Sequence, residues 1–424
     1  MKGDEVPTRF ALSGRATGVK RGELVVSSDG DGGKEESNRE VVIKLAWGEA
    51  GRNREKVIID KAREAFEGKE FAEGGDPRDY LPEVLGEKAF EDFDTDIVRK
   101  AILDVYEPYR AKRPLARRYP VLVLLPKYQS ISVITAMPDA TRVNHFIALI
   151  YCHAMLWSVG VEHGDISENN LMYEESTGRP KLCDFDLSQI RGDYRPSEHL
   201  NAGTWAFMAG DLLTYKAMEG KVTRLYRHDF ESFIAVIVWV SLRYNNGEHV
   251  PCPRLDKWAQ DEFILCCASR EDTYDSIMCR RFDRPDWLSF EMWRAISLLI
   301  RNFMRIILAR RIAEGDMWCM KMTKEEALEA QTSEVPKNID SHQALPNGDC
   351  LPREDDWLGL EPPTWTKEDE EKLAALKKDV ESYDDLRFVN KATSKMKLFK
   401  FDGSIGPYFT TLLQDNLNVA NGST

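Results

Sequence analysis

One stretch constrains this chain more than any other. Val161-Glu162-His163-Gly164-Asp165-Ile166-Ser167-Glu168-Asn169-Asn170-Leu171-Met172 sets an Asp five positions before an Asn, and Leu182-Cys183-Asp184-Phe185-Asp186 soon adds a second Asp. Two carboxylates and an amide in this order suit phosphoryl transfer from a nucleotide. One carboxylate orients the attacking hydroxyl; the other, with an amide oxygen, holds a divalent metal on the phosphates. Magnesium fits such a sparse oxygen donor set, because it keeps waters and phosphate oxygens for its remaining positions. Ile166, Leu171, Met172 and Leu182 flank these groups as short buried strands and turns around a cleft would.

Further motifs follow in a fixed order. Val41-Val42-Ile43-Lys44 lies upstream, and Gly203-Thr204-Trp205-Ala206-Phe207-Met208-Ala209-Gly210-Asp211 downstream. Arg227-His228-Asp229-Phe230-Glu231-Ser232-Phe233 then opens an apolar helix. Together these motifs resemble the protein-kinase superfamily. The wording Asp-Ile-Ser, Asp-Phe-Asp, Phe-Met-Ala-x-Asp-Leu-Leu and His-Asp-Phe-Glu-Ser-Phe is similar to the fungal-type protein kinases, over roughly residues 8 to 330. The resemblance implies an α+β, bilobal protein-kinase-like fold. Residues 8–130 would form an antiparallel-sheet N-lobe and 131–330 a mainly helical C-lobe. ATP and Mg2+ would be the cofactors, and a protein Ser/Thr hydroxyl the acceptor.

The resemblance assigns roles residue by residue. Asp165 would be the catalytic carboxylate, and Asn170 and Asp184 the metal ligands, with Asn169 one position off the pattern. Lys44 would contact the nucleotide phosphates. Its helix partner would be Glu55, which shares an inward face with Ile58 and follows Arg52 as the fungal-type pattern requires; Glu64 is the alternative. Gly14 and Gly18, within Leu12-Ser13-Gly14-Arg15-Ala16-Thr17-Gly18-Val19, would cover the phosphates, although their spacing is non-standard and an ordinary hairpin fits as well. Thr204 and Asp211 would close the activation segment, with Asp211 at the Ala-Pro-Glu position, and Asp229 would head the central helix.

Three departures matter. Gly164 replaces the arginine of His-Arg-Asp, which normally reads a phosphorylated activation loop. An activation segment ordered by its own packing is therefore expected, with Trp205, Phe207 and Met208 under the helix that starts near Asp229. Arg224 and Arg227 are the cations at hand to replace the missing one. Ser167 stands where many Ser/Thr kinases carry lysine. Asp186 replaces the glycine of Asp-Phe-Gly and is expected to cap a turn.

Two other readings stay open. A small-molecule kinase of the aminoglycoside or choline type also uses His-Gly-Asp, but generally lacks a peptide-docking segment like Gly203 to Asp211. A pseudokinase binding module would fit the poor glycine loop and the absent lysine, against the intact Lys44, Asp165, Asn170 and Asp184.

The formal net charge of −13 argues against a general nucleic-acid surface. The basic run Lys112-Arg113-Pro114-Leu115-Ala116-Arg117-Arg118 reads as a solvated loop. Eight cysteines occur without a Cys-x-x-Cys, as in a chain of reduced thiols. Met1-Lys2-Gly3-Asp4-Glu5 has no apolar signal core, and Phe233 to Leu242 is too short to span a bilayer. A soluble, cytoplasmic protein with no membrane partner is expected, with the nucleus not excluded and the oligomeric state open. Beyond residue 330, prolines break all periodicity, so 331–424 reads as an acidic extension with one docked helix near Thr366. Thr366-x-x-Asp369 supplies a loose capping box for it, with Leu373, Leu376 and Val380 as its stripe.

Overall fold

The computed structural model describes residues 17–30, 33–71, 75–97, 100, 117–193, 203–332 and 364–382. Gly14 and most of the 112–118 basic run lie outside these residues. The fold is mixed α+β: an N-terminal antiparallel sheet followed by mostly helical segments.

Strands β1 (Thr17–Gly30) and β2 (Gly33–Glu49) form a long hairpin, closing with Gly30 opposite Gly33. β3 (Gly86–Ala89) and β4 (Arg118–Pro126) complete the sheet in the order β1-β2-β4-β3. Register places Lys44 opposite Val123 and Ala46 opposite Val121, and all four are buried. Because side chains alternate along a strand, Lys44 shares its face with Ala46 and turns away from Ile43. Pro126 ends β4, since it has no N–H to donate to a further ladder bond.

Helix α1 (Glu55–Phe66) buries Ile58, Ile59, Ala62 and Phe66. Periodicity alone reads a helix from Arg52 to Phe66, but the helix starts at Glu55. Arg52 N–H donates to Glu49 O at 3.1 Å, and Arg52 Nε meets Glu49 Oε2 at 3.2 Å, so Arg52 is held in the turn leaving β2.

After β5 (Gln129–Ser130), helix α2 (Asp139–Ser158) buries Phe146, Leu149, Ile150, His153 and Leu156, which recur at helical spacing along the sequence. Short pairs follow: β6 (Val161–Glu162) with β9 (Gln189–Ile190), and β7 (Leu171–Glu174) with β8 (Arg179–Leu182). They fix the ends of the loops that carry Asp165 and Asp184. Helix α3 (Tyr226–Arg243) is buried on every side from Tyr226 to Leu242, as a helix at the centre of a core must be. Arg227, His228, Asp229 and Glu231 are buried with it, so each needs a partner. Helix α4 (Phe263–Met278) packs beyond it, and α5 (Phe290–Thr332) runs for 43 residues.

The chain divides into two compact units, with the boundary between Asn302 and Phe303 inside α5. The composition change near residue 330 marks the end of this helix. In the second unit, α6 (Lys367–Glu381) starts at the Thr366–Asp369 capping box. Lys324 and Trp365 both bond Glu370, at 2.8 Å each. Among the described residues no helix is long and apolar enough to cross a membrane, and the described cysteines are thiols, not disulfides.

Candidate active site

Lys44 Nζ is the meeting point of three carboxylates. It lies 2.8 Å from Glu55 Oε2, 2.8 Å from Asp184 Oδ1 and 2.9 Å from Asp186 Oδ2. The lysine comes from β2, Glu55 from the first turn of α1, and the two aspartates from the turn after β8. Glu64 is exposed and takes no part. Glu55 also accepts the Phe185 N–H through Oε1 at 3.0 Å, which ties α1 to that turn. Asp184 has φ 65, a left-handed conformation uncommon for a residue with a side chain. Strain of this kind concentrates at functional sites. Asp186 is more than a turn cap: the turn-capping oxygen is Asp184 Oδ1, which accepts the Asp186 N–H at 3.4 Å, while the Asp186 carboxylate goes to Lys44.

The electrostatics follow from crowding. Burial disfavours the Lys44 ammonium, but Asp184, Glu55 and Asp186 outweigh it and hold the lysine pKa well above its ordinary value. Burial pushes the Glu55 carboxyl up to about 7, with Lys44 pulling the other way. For Asp184 burial also opposes charge, but the nearby ammonium prevails and the pKa falls. Oxygens of Glu55, Asp184 and Asp186 lie within 4.8 Å of one another. These are hard donors carrying excess negative charge, so they fit magnesium.

Asp165 is held on both carboxylate oxygens. Thr204 donates to Oδ1 from its N–H at 2.9 Å and its hydroxyl at 3.0 Å. Asn170 Nδ2 donates to Oδ2 at 3.2 Å and to the Asp165 carbonyl at 2.7 Å, which points the Asn170 amide oxygen away from Asp165. His163 links this loop to the Asp184 turn. Its Nε2 bonds the Cys183 carbonyl at 3.0 Å, so Nε2 carries the proton and Nδ1 accepts the Asp165 N–H at 3.3 Å. Burial and then His153 push the His163 pKa down to about 4, consistent with a neutral ring.

Beneath the loop, Asp229 Oδ2 bonds His153 Nε2 at 3.0 Å and accepts the Gly164 N–H at 3.3 Å. Arg224 Nε donates to Oδ1 at 2.9 Å. Burial opposes the charge of Asp229, but Arg224 and His153 drive its pKa far below the carboxylate range. Gly164 has φ 86, and a Cβ there would lie 3.1 Å from the Leu187 carbonyl and 3.8 Å from Arg224 Nη1. The glycine is thus set by backbone geometry, and Arg224 brings a guanidinium to the same place from another segment. Arg227 takes a different role, pairing with Asp211 at 2.6 Å. Glu231 accepts the Gly210 N–H at 2.8 Å and meets Arg270 Nη2 at 3.2 Å.

The segment from Gly203 to Asp211 packs differently from expectation in part. Phe207 stacks edge-on to Trp239 of α3, ring centres 5.3 Å apart. Trp205 instead meets Phe263 of α4 at 5.9 Å, and Met208 clusters with Leu212, Leu213 and Cys266. Gly18 is a strand residue of β1 opposite Leu45, one pair from Lys44 and not in a loop. The reading of the sequence missed Glu168, which accepts hydrogen bonds from Trp239 Nε1 and Tyr244 OH and so ties the loop carrying Asp165 to α3. It also missed the pairing of Asp186 with Lys44. Neither has a local signal, because the partners lie tens of residues away.

Comparison with family models identifies a fungal protein kinase domain over residues 115–241. The match runs from just before β4 almost to the end of α3, and so includes Asp165, Asn170, Asp184, Thr204, Asp211 and Asp229. Over these residues the resemblance read from the motifs is borne out, and kinase-like phosphoryl transfer is the chemistry it implies. A comparison with curated proteins finds no match.

Proposed function

We propose that this chain is an ATP- and magnesium-dependent protein kinase acting on Ser/Thr hydroxyls, with a bilobal fold whose lobes meet after Pro126. The observation that carries this reading is the clamp on Asp165. Thr204 binds its Oδ1 with both N–H and hydroxyl, so the segment ending at Asp211 is moored beside the carboxylate that would receive the substrate. A peptide on that segment would present its hydroxyl to Asp165, and small-molecule kinases generally lack such a segment.

Asp165 orients the attacking hydroxyl and accepts its hydrogen bond. Lys44 neutralises nucleotide phosphate oxygens and is kept charged by Glu55 and Asp186. Asp184 and the Asn170 amide oxygen would hold magnesium, which supplies charge neutralisation on the phosphates when bound. Arg224 and His153 keep Asp229 ionised, and Asp229 holds the loop backbone at Gly164.

The test is incubation of the purified chain with labelled ATP and magnesium, against a peptide array and a panel of small hydroxylated and amino metabolites. Label should appear on Ser/Thr peptides. Asp165→Ala should lose transfer by at least about a thousandfold while nucleotide affinity stays within a few fold. Label on a metabolite alone would overturn the protein-kinase reading. Absence of magnesium-dependent nucleotide binding would overturn catalysis altogether.

A further inference from the structure

We propose that α5 pairs antiparallel with α5 of a second copy of this chain, crossing at Gly315. This does not rest on the catalytic reading. Along the second unit's part of the helix, Leu308, Ile312, Gly315, Cys319 and Met322 recur at alternating steps of four and three residues and are all exposed. Leu308 is 58% exposed, Ile312 56% and Met322 39%. That spacing makes one seam of the kind that packs against another helix. Ala313 and Ala327, which lie off the seam, are buried. Arg305 continues the seam at one end and Glu326 at the other, both exposed.

Two observations select the occupant. The first is charge. In a parallel pair Arg305 would face Arg305 and Glu326 would face Glu326. In an antiparallel pair each arginine faces the other copy's glutamate. Counting outward from Gly315, Leu308 and Met322 are each seven residues away, Ile312 and Cys319 three and four, and Arg305 and Glu326 ten and eleven. The helix is therefore nearly level with its own reversed copy at every step, apolar against apolar and base against acid.

The second is Gly315 itself. Glycine inside a helix costs about 1 kcal/mol relative to alanine, and among the described residues a Cβ at Gly315 would meet nothing within 4 Å. No described residue packed against it requires a glycine. A second helix crossing there does, because absence of a side chain lets two backbones approach closely. A seam this short is at the small end of specific interfaces, under about 1,200 Å² in total, so dissociation in the micromolar range is expected.

The experiment is sedimentation equilibrium of the full chain between about 1 and 100 µM, a range that brackets such an affinity. The mass should rise from 48.6 kDa toward twice that value. Ile312→Glu should stay monomeric throughout, with an unchanged circular dichroism spectrum because its side chain is exposed. Arg305→Glu should weaken the dimer about tenfold or more, and Glu326→Arg added to the same chain should restore it. A wild-type chain monomeric at every concentration overturns the proposal, as does a dimer that survives Ile312→Glu. A dimer lost on Arg305→Glu and not restored by the double reversal rules out the antiparallel arrangement.

Discussion

Lys44 meets three carboxylates; Asp229 meets an arginine, a histidine and a backbone amide. Both groups are buried, Asp229 beneath the loop that carries Asp165 and Lys44 against the turn that carries Asp184, yet their charges are arranged in opposite ways. Around Asp229 charge is matched, His153 and Asp229 are 0% exposed, and both carboxylate oxygens are bonded. Around Lys44 one ammonium serves Glu55, Asp184 and Asp186, and the Asp184 side chain is 38% exposed. Buried charge persists in a folded protein when it is matched and hydrogen-bonded. The first arrangement meets that condition and makes a mooring for the loop. The second, with three carboxylates on one ammonium, fails it and keeps one edge open, as a site that receives a cation and phosphates would.

The largest test of this contrast separates activity from stability. Asp184→Ala should reduce phosphoryl transfer by at least about a thousandfold, or about 4 kcal/mol. Its melting temperature should hold or rise, because one of three crowded carboxylates is gone. Asp229→Ala should do the reverse in stability. It takes away the buried carboxylate that Arg224 and His153 share, which costs about 3–5 kcal/mol and lowers the melting temperature by roughly 5–15 °C. Scanning calorimetry of both variants checks this. Similar destabilisation by the two would erase the distinction.

The two sites were not equally legible in the sequence. Asp165, Asn170 and Asp184 could be read because a single loop and one following strand carry them, so linear spacing nearly equals spatial spacing. Glu55 was readable only through helical periodicity, which put it on the face of Ile58 and left Glu64 outside. The sheet is legible in the β-rich runs Glu23 to Val26 and Val41 to Ala46 on either side of the turn at Asp29 to Gly33, and α2 in its apolar stripe. The mooring was mostly hidden. His153 lies far from Asp229 along the chain, and in α2 it reads as one more member of an apolar stripe. Arg224 was one of two equal candidates until Arg227 was found on Asp211. Asp186 looked like a turn residue because nothing local records that its carboxylate reaches back to β2.

A smaller effect probes the balanced side by pH. His228 on α3 is buried, and burial pushes its pKa down to about 4 from an ordinary value near 6.5. Its Nδ1 accepts the Leu225 N–H at 3.0 Å, a role for the neutral ring. Between those two values the unfolded chain binds a proton that the folded chain refuses. Stability is therefore complete above about pH 6.5 and falls as pH drops toward 4, by about 3 kcal/mol for this residue. His228→Asn keeps an acceptor for Leu225 and removes the titration. Its stability should fall less steeply from pH 6.5 to 4.5 in urea titrations, with the remaining slope in that window including His163. An unchanged slope would mean that His228 does not resist protonation, and that α3 is less closed than its burial indicates.

The smallest effect is the most direct probe of the imbalance. If excess negative charge at Glu55, Asp184 and Asp186 is poised for a divalent cation, magnesium should stabilise the chain without nucleotide. Binding to the folded state alone adds RT ln(1 + [L]/Kd), about 1.4 kcal/mol at ten times Kd, or a rise of a few degrees at most in a chain this long. Calcium, which accepts more ligands at longer distances, should give a different increment, whereas added sodium at equal ionic strength should give almost none. The increment should disappear in Asp184→Ala. It should persist in His228→Asn, whose substitution touches the balanced region alone. A magnesium shift of the same size in Asp184→Ala would place the ion elsewhere, and Lys44 alone would then have to satisfy the three carboxylates.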